Sequence, residues 1–228
     1  MAYNYGIYHY KVLKHDSVTH VDHVDLDGGV IEVCREHFSW GEAWKDPRVK
    51  LHLEDGAEFL RNASTGFYDV IIQDSSDPFT WGDDGEKVEL PSNVLYTHEH
   101  FMNIHRVLSK GGVFSFQAET FNIASDLAGI VSWRSQALSV GFESSRYGSI
   151  TISSYPTGQI GFLLCEKKPE SAPSLEEVEE RFNAMQIIGS ETSYYQPKLQ
   201  QSAFELPLWV EKAVYNDSVV TTSKHIDL

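Results

Sequence analysis

The stretch Tyr68–Pro78, with the sequence YDVIIQDSSDP, decides the fold that we expect for this chain. Its first part, Tyr68–Asp74, is a short and continuous apolar run, which predicts a β-strand buried on both faces of a sheet. Asp74 and Asp77 then follow on a turn that ends in Pro78. Two acids on such a turn can hold an ammonium group and accept a proton from it, although an Asx turn that merely ends a strand explains the same residues.

Apolar runs and amphipathic stretches alternate on both sides of this segment, which predicts an α/β fold with a mostly parallel, doubly wound sheet. The residues from Ser75 to Asn93 are rich in Asp, Gly and Pro and are predicted to form a loop. Gly111 and Gly112 are predicted to end a helix. Strands are predicted over Thr19–Asp27, Val49–Asp55, Tyr68–Asp74, Val113–Gln117, Ser149–Ser153 and Gly158–Glu166, and helices over Gly29–Phe38, Gly56–Asn62, Tyr96–Leu108 and Ile123–Val140.

The C-terminal part of the chain has a different pattern from the alternating region. Ser174 and Glu177 have the spacing of a capping box, which predicts the start of an acidic helix. The apolar stretch Phe204–Tyr215 predicts another helix that packs back on the sheet. We therefore expect a single catalytic domain over residues 1–228, with C-terminal helices packed on it between residues 174 and 215.

Composition and charge narrow the classes of function. The chain has 228 residues and a formal net charge of −15, which argues against nucleic acid and anionic membranes as partners because both bind basic surfaces. No stretch approaches the roughly 20 apolar residues that span a bilayer, and the N-terminus lacks the pattern of a secretory signal. Cys34 and Cys165 lie in apolar runs, which predicts buried, reduced thiols in a cytoplasmic protein.

Acidic residues follow three of the predicted strands. Because ligands of open α/β sheets bind outside the carboxyl ends of the strands, acids at these positions predict a binding site. Asp25 is predicted to bind ribose hydroxyls, while Asp27 caps the next helix. Asp55 can accept a hydrogen bond from an adenine amino group, and Gly56 lets the ring approach the backbone, although Asp55 also suits a helix N-cap.

Longer stretches of the chain resemble the spermidine synthase (polyamine aminopropyltransferase) family. The resemblance lies in YDVIIQDSSDP, DLDGGVIEV, LEDGAEFL and GGVFSFQAE, above all in YPTGQIGFLLCEK, and in the C-terminal YYQPKLQQSAFELPLWVEKAV. It implies a Rossmann-like, methyltransferase-type sheet in a cytoplasmic homodimer. It also implies transfer of an aminopropyl group from decarboxylated S-adenosylmethionine to putrescine, which gives spermidine and 5′-methylthioadenosine. Neither a metal nor another cofactor is implied.

The resemblance also implies roles for individual residues. Asp77 matches the family's proton acceptor, which is needed because an alkylammonium with a pKa of about 10.4 is protonated at neutral pH and cannot attack. Asp25 matches a ribose-binding position that is usually a glutamate in the family. Asp74, Gln117 and Tyr155 match residues of the polyamine site, and Asp55 and Gly56 match the adenine-binding pair.

The chain departs from the family at two places. The match begins at Lys11, just beyond the position of the family's glycine-rich GGGDGG loop, and MAYNYGIYHY stands there instead. We therefore expect a sheet that lacks the family's first strand, glycine-rich loop and N-terminal β-domain. The strands that flank the missing one are expected to have unpaired edges. We also expect the chain to have little activity by itself. The segment after DSSDP is longer and more acidic than in the family, and Trp81 stands near a position that meets adenine.

Two other functions remain open on the sequence. A methyltransferase that uses S-adenosylmethionine shares the fold and explains Asp25 and Asp55 equally well, but it does not explain DSSDP or YPTGQIGF. An inactive or weakly active paralogue that binds a full-length synthase would explain the missing loop, although Asp74 and Asp77 favour catalysis. A hydrolase built on the serines of DSSDP is disfavoured because the G-x-S-x-G elbow is absent.

Overall fold

The structure, a computed structural model, describes residues 7–39, 41–84, 86–155, 157–168, 174–184 and 194–216, apart from the side chains of residues 7–9 and 81. The chain divides into two compact units, Met1–Phe114 (unit 1) and Ser115–Leu228 (unit 2). The expectation of a single catalytic domain stays a prediction. The segment MAYNYG that precedes the first helix lies outside the described residues.

Unit 1 contains a pair of parallel strands, and two of its helices begin directly after an aspartate that caps them. The first two strands run side by side, with Val21 opposite Val49 and Asp25 opposite Leu53. Its strands are β1 (Val21–Asp25), β2 (Val49–Leu53), β3 (Tyr68–Gln73), β4 (Phe79–Trp81), β5 (Lys87–Glu89) and the first part of β6 (Leu108–Gln117), which neighbours β3. Its helices are α1 (Ile7–Val12), α2 (Gly28–His37), α3 (Gly56–Asn62) and α4 (His98–Val107), with 3₁₀-helices at Gly41–Lys45 and Pro91–Tyr96.

Helix α4 illustrates how local sequence fixes an element of unit 1. Thr97 caps the helix, since its hydroxyl oxygen accepts a hydrogen bond from the backbone N–H of His100. The residues that α4 buries are spaced by one, three and three positions, so they form one face of the helix. Phe101 on this face packs edge-on against Phe114 of β6, with ring centroids 5.8 Å apart. The buried residues are His100, Phe101, Ile104 and Val107.

Unit 2 is built around an antiparallel hairpin. Strands β7 (Ser144–Thr151) and β8 (Gln159–Glu166) pair in antiparallel register, and β8 neighbours the end of β6. The predicted capping box is confirmed, because the Ser174 N–H donates to the Glu177 carboxylate at 2.7 Å and the Glu177 N–H donates to Ser174 Oγ at 3.2 Å. The helices are α5 (Ala124–Ser139), α6 (Leu175–Ala184), α7 (Pro197–Ser202) and α8 (Leu208–Tyr215).

The α/β class is confirmed, and the strand pairing is mixed. The pair β1–β2 is parallel, whereas β7–β8 and β4–β5 are antiparallel. The prediction that β3 is buried on both faces is wrong, since the side chains of Val70 and Ile72 are 57% and 38% exposed. The reason is that β3 is the edge strand of its sheet, and within the described residues its neighbour is β6. Strand β1 does not pair with β3 there, because it pairs with β2 in a separate sheet.

Several element boundaries differ from the sequence prediction, among them the start of β7, which is Ser144 and not Ser149. The expected loop Ser75–Asn93 contains the β4–β5 hairpin, whose two short strands pair so that Phe79 lies opposite Glu89. Gly111 and Gly112 do not end a helix but lie inside β6, since α4 already ends at Val107. The last helix begins after Pro207 and not at residue 204, because proline suits the start of a helix and disrupts its interior. It packs on α5, where Arg134 Nη1 donates to the Val214 carbonyl at 3.2 Å.

Candidate active site

The turn that follows β3 carries Asp74 and Asp77, which the family resemblance assigns to polyamine binding and to proton acceptance. Asp74 is half-buried and Asp77 is exposed, whereas Ser75 and Pro78 are buried. Ser75 is 4% exposed, and its Oγ lies 3.1 Å from Tyr96 Oη in the interior. The turn therefore points its serine inward and leaves the Asp77 carboxylate within reach of a dissolved amine. An inward-facing hydroxyl also argues against Ser75 as the nucleophile of a hydrolase.

The acids after β1 divide into one buried carboxylate and one helix cap. Asp25 is 5% exposed, and one of its oxygens accepts a hydrogen bond from the Asp27 N–H at 2.9 Å. Burial raises the pKa of Asp25 above its usual value. Asp27 caps α2 as predicted, because its carboxylate accepts from the N–H groups of Gly29 and Val30 at 2.9 and 3.2 Å. The ribose-binding role of Asp25 stays a prediction.

The acid after β2 is also a helix cap. The Asp55 carboxylate accepts from the N–H groups of Ala57 and Glu58 at 2.8 and 3.0 Å, and Gly56 is the first residue of α3. Because Asp25, the last residue of β1, lies opposite Leu53 in the parallel pair, Asp25 and Asp55 lie at the same end of two neighbouring strands. The structure thus brings these two predicted nucleoside residues to one edge of unit 1. Contact of Asp55 and Gly56 with adenine stays a prediction.

In unit 2, the two predicted polyamine residues meet at a third side chain that the sequence analysis missed. Gln117 Nε2 donates to one carboxylate oxygen of Glu119 at 3.1 Å, and the Tyr155 hydroxyl donates to the other. Glu119 is 9% exposed. One N–H of Gln117 and the Tyr155 hydroxyl hydrogen are directed at Glu119, which leaves the second N–H of Gln117 and the oxygen atoms of Gln117 and Tyr155 for a further group. A cluster of acceptors suits an ammonium group, which only donates.

The backbone of Glu119 is held in an unusual conformation. Its φ angle is +55°, in the left-handed region that costs a non-glycine residue about 1–3 kcal/mol. The Glu119 carbonyl accepts hydrogen bonds from the Tyr147 hydroxyl and the Gly161 N–H, both at 2.8 Å. A Cβ on Gly161 would lie 2.0 Å from the Tyr147 hydroxyl, so only glycine permits this arrangement. Glu119 stands two residues beyond the predicted end of β6. Acids near the ends of the other predicted strands are predicted site residues, and the same sequence signal could have found Glu119.

The remaining features that could carry a function are the two cysteines, possible metal ligands, membrane-spanning helices and Trp81. Cys34 and Cys165 are free and buried, as predicted, and burial raises the pKa of the Cys165 thiol to about 12. Within the described ranges, no group of three or more His, Cys, Asp and Glu side chains is arranged to hold a metal. No helix in the described part of the chain is both long and apolar enough to cross a membrane. The side chain of Trp81 lies outside the described residues.

The fold and the acids at the strand ends define an α/β protein of the Rossmann-like class. Human methyltransferase-like protein 13 in complex with SAH shares this fold, with a TM-score of 0.56 at 21% identity over 86% of this chain and 82% of that chain. A spermidine synthase in complex with the transition state analogue AdoDATO is more similar, with a TM-score of 0.77 at 26% identity. That similarity covers 93% of this chain and 67% of the synthase chain.

The sequence comparisons then identify the family. The family model described as the spermine/spermidine synthase domain matches residues 6–174, and the chain belongs to this family. Spermidine synthase 1 of Hyoscyamus niger is 30% identical over 208 residues, which are 90% of this chain and 62% of that protein. Spermine synthase of Arabidopsis thaliana is also 30% identical, over 90% of this chain and 54% of that protein. The chain thus spans about three fifths of the length of the first of these relatives.

Proposed function

We propose that this chain transfers the aminopropyl group of decarboxylated S-adenosylmethionine to putrescine, which gives spermidine and 5′-methylthioadenosine. Membership of the spermine/spermidine synthase family supports the type of reaction. The observation that carries the proposal is the turn after β3, where Asp74 is half-buried and Asp77 is exposed. Both carboxylates follow a strand at the edge of the sheet where α/β proteins bind their ligands.

In the proposed reaction Asp77 is the base. Putrescine arrives as a diammonium ion, and one of its nitrogens gives a proton to the Asp77 carboxylate. The freed lone pair attacks the aminopropyl carbon next to the sulfonium, a new C–N bond forms and the C–S bond breaks. The electron pair of the broken bond goes to sulfur, which leaves as the neutral thioether of 5′-methylthioadenosine. Because the sulfonium is a good leaving group, positioning of the nitrogen in line with the C–S bond supplies much of the rate.

The remaining residues hold the two substrates in this proposal. Asp74 binds the ammonium group near Asp77. Gln117, Tyr155 and Glu119 bind an ammonium group through their oxygen atoms, since one N–H of Gln117 and the Tyr155 hydroxyl are directed at Glu119. Asp25 binds the ribose of the nucleoside, and Asp55 and Gly56 meet its adenine.

The acceptor amine is the finer part of the proposal. Spermidine synthases and a spermine synthase resemble the chain equally, at about 30% identity, so the relatives alone do not separate putrescine from spermidine as the acceptor. We propose putrescine on the resemblance of the site residues to spermidine synthases.

Product analysis of the purified chain tests the proposal. The chain is incubated with decarboxylated S-adenosylmethionine and either putrescine or spermidine, and the release of 5′-methylthioadenosine and of the new polyamine is measured. We expect both products with putrescine and their loss in the Asp77→Asn variant. Absence of 5′-methylthioadenosine with either amine, or transfer of a methyl group from S-adenosylmethionine, would contradict the proposal. The rate obtained also tests the expectation that the chain alone has little activity.

A further inference from the structure

A set of buried polar side chains in unit 1 lies behind the turn that carries Asp74 and Asp77. We call it the turn network. Its side chains are nearly inaccessible to solvent, and His100 is only 3% exposed. Buried polar groups are usually hydrogen-bonded, because an unpaired one is costly. Each of these side chains makes at least one hydrogen bond, although Nδ1 of His100 has no partner within the described residues. The members of the turn network are Gln73, Ser75, Ser92, Tyr96 and His100.

The network begins at helix α4, with a hydrogen bond that fixes the state of a histidine. His100 Nε2 lies 2.9 Å from Gln73 Oε1, while Gln73 Nε2 donates to the Leu95 carbonyl at 3.2 Å. Since the amide nitrogen of Gln73 is the donor on its other side, Oε1 is the acceptor and His100 Nε2 carries the hydrogen. Burial lowers the pKa of His100 to about 3, so the ring stays neutral and acts as a donor at physiological pH.

The network continues from Gln73 to the backbone of the turn. Gln73 Nε2 donates also to Ser75 Oγ at 3.4 Å, and Ser75 Oγ lies 3.1 Å from Tyr96 Oη. The Tyr96 hydroxyl donates to the Ser76 carbonyl at 3.3 Å. Because Tyr96 has one hydrogen and gives it to Ser76, Ser75 is the donor in the bond between the two hydroxyls. Each group from His100 to Tyr96 therefore donates to the next, an order in which hydrogen bonds strengthen one another.

A second contact reaches the peptide of the proposed base itself. The Ser92 hydroxyl, from the 3₁₀-helix before α4, donates to the Asp77 carbonyl at 2.5 Å. The turn is thus held from behind at two consecutive carbonyls, those of Ser76 and Asp77. The Asp77 side chain is exposed, so the position of its carboxylate depends on the backbone that these two hydroxyls hold.

We propose that the turn network positions the DSSDP turn for catalysis, with Gln73, Tyr96 and His100 as positioning residues for Asp74 and Asp77. An apolar trio would fill the same space without the cost of burying an amide, an imidazole and a phenol. The polar residues instead fix a single arrangement of the turn. This inference rests on the proposed function only for its kinetic consequence, since the order of the turn can be measured without substrate.

Tyr96→Phe is the first test, because it removes one hydroxyl and keeps the buried ring. We expect the backbone amides of Ser76 and Asp77 to exchange their hydrogens about tenfold faster, as measured by NMR. We also expect kcat of aminopropyl transfer to fall about tenfold with little change in KM for decarboxylated S-adenosylmethionine, because a misplaced base slows the chemical step and not nucleoside binding. Tyr10→Phe, a hydroxyl loss on α1 in the same unit, is the matched control and should leave both quantities unchanged.

A pair of variants at His100 separates positioning from packing. His100→Phe keeps an aromatic ring but leaves Gln73 Oε1 without a donor, whereas His100→Gln loses the ring and retains an amide N–H that can donate. A positioning role predicts that His100→Gln keeps the wild-type exchange rates at Ser76 and Asp77 and that His100→Phe raises them. A packing role predicts the opposite order. His98→Phe, an exposed position on the same helix, is the control.

Each outcome decides the inference. Wild-type exchange at Ser76 and Asp77 in Tyr96→Phe would overturn it, as would slower exchange in His100→Phe than in His100→Gln. If His100→Phe does not fold, Tyr96→Phe decides alone. If the wild-type chain releases no 5′-methylthioadenosine, the proposed function fails, while the exchange rates still show whether the network orders the turn.

Discussion

Asp74 and Asp77 differ in exposure although only two residues separate them, and this difference suits them to the two different roles proposed for them. The half-buried Asp74 is suited to holding a cation in a fixed place, because a partly desolvated carboxylate interacts strongly with an ammonium group. The exposed Asp77 can accept a proton and release it to water at the end of each cycle. We therefore expect their amide variants to fail in different kinetic constants.

Asp77→Asn retains the shape of the side chain but cannot accept a proton. We expect kcat to fall about 10²–10⁴-fold, with KM for putrescine little changed, because general base catalysis contributes in this range. Asp74→Asn should raise KM for putrescine instead. Asp16→Asn, at an exposed acid elsewhere in unit 1, is the matched control. Steady-state release of 5′-methylthioadenosine gives both constants, and near-normal kcat in Asp77→Asn would remove Asp77 from the role of base.

His100 makes the stability of the fold sensitive to acid. Its pKa is lowered to about 3 in the folded chain, mainly by burial, and is 6.5 in an unfolded one. The unfolded chain therefore takes up a proton that the folded chain refuses, so the stabilisation is complete above pH 6.5 and is lost as the pH falls toward 3. Between pH 7 and pH 4.5 this loss is about 2 kcal/mol. Urea unfolding over this range should show a shallower pH dependence for His100→Gln than for the wild type, and parallel curves would contradict the assignment.

At the scale of single elements, periodicity and capping residues predicted much of the fold. Asp27 and Asp55 were predicted as possible caps and are caps, because a carboxylate before a glycine-led helix has few better partners than the free N–H groups. The exposure of Val70 was not predictable, because the burial of a strand face depends on neighbours that the strand's own sequence does not specify. Glu119 carried the same sequence signal as the other acids at strand ends and was overlooked. Its left-handed backbone was not predictable, since it depends on tertiary contacts with Tyr147 and Gly161.

The exposed face of strand β3 favours aggregation of the protein. Val70 and Ile72 point apolar side chains at solvent from a strand at the end of its sheet, which is the arrangement that promotes strand-to-strand aggregation. We expect Val70→Lys to reduce concentration-dependent light scattering, with a change of less than about 0.5 kcal/mol in the free energy of unfolding. Val33→Lys on α2 replaces a similarly exposed valine and should have little effect. Equal scattering by the wild type and Val70→Lys would show that β3 is not responsible.

At the scale of the whole molecule, the two compact units each carry part of the predicted set of site residues. The predicted nucleoside residues and the DSSDP turn belong to unit 1, and the predicted Gln117 and Tyr155 belong to unit 2. The motifs that carry the family resemblance lie in both units. The resemblance is therefore the basis on which Gln117 and Tyr155 are assigned to the same reaction as the residues of unit 1. Oligomeric state and cytoplasmic location stay predictions.

The net charge of −15 gives the molecule a long-range field that favours cationic substrates. Putrescine carries two positive charges at neutral pH, and its attraction to exposed acids is screened over about 10 Å at 0.1 M salt and about 3 Å at 1 M. We therefore expect the apparent KM for putrescine to rise several-fold between about 20 mM and 500 mM salt while kcat stays nearly constant. If the acidity serves only solubility, KM will not respond to salt. An Asp83→Asn and Asp84→Asn double variant, which removes two exposed acids from the β4–β5 turn, should flatten the salt dependence if the field near the DSSDP turn is responsible.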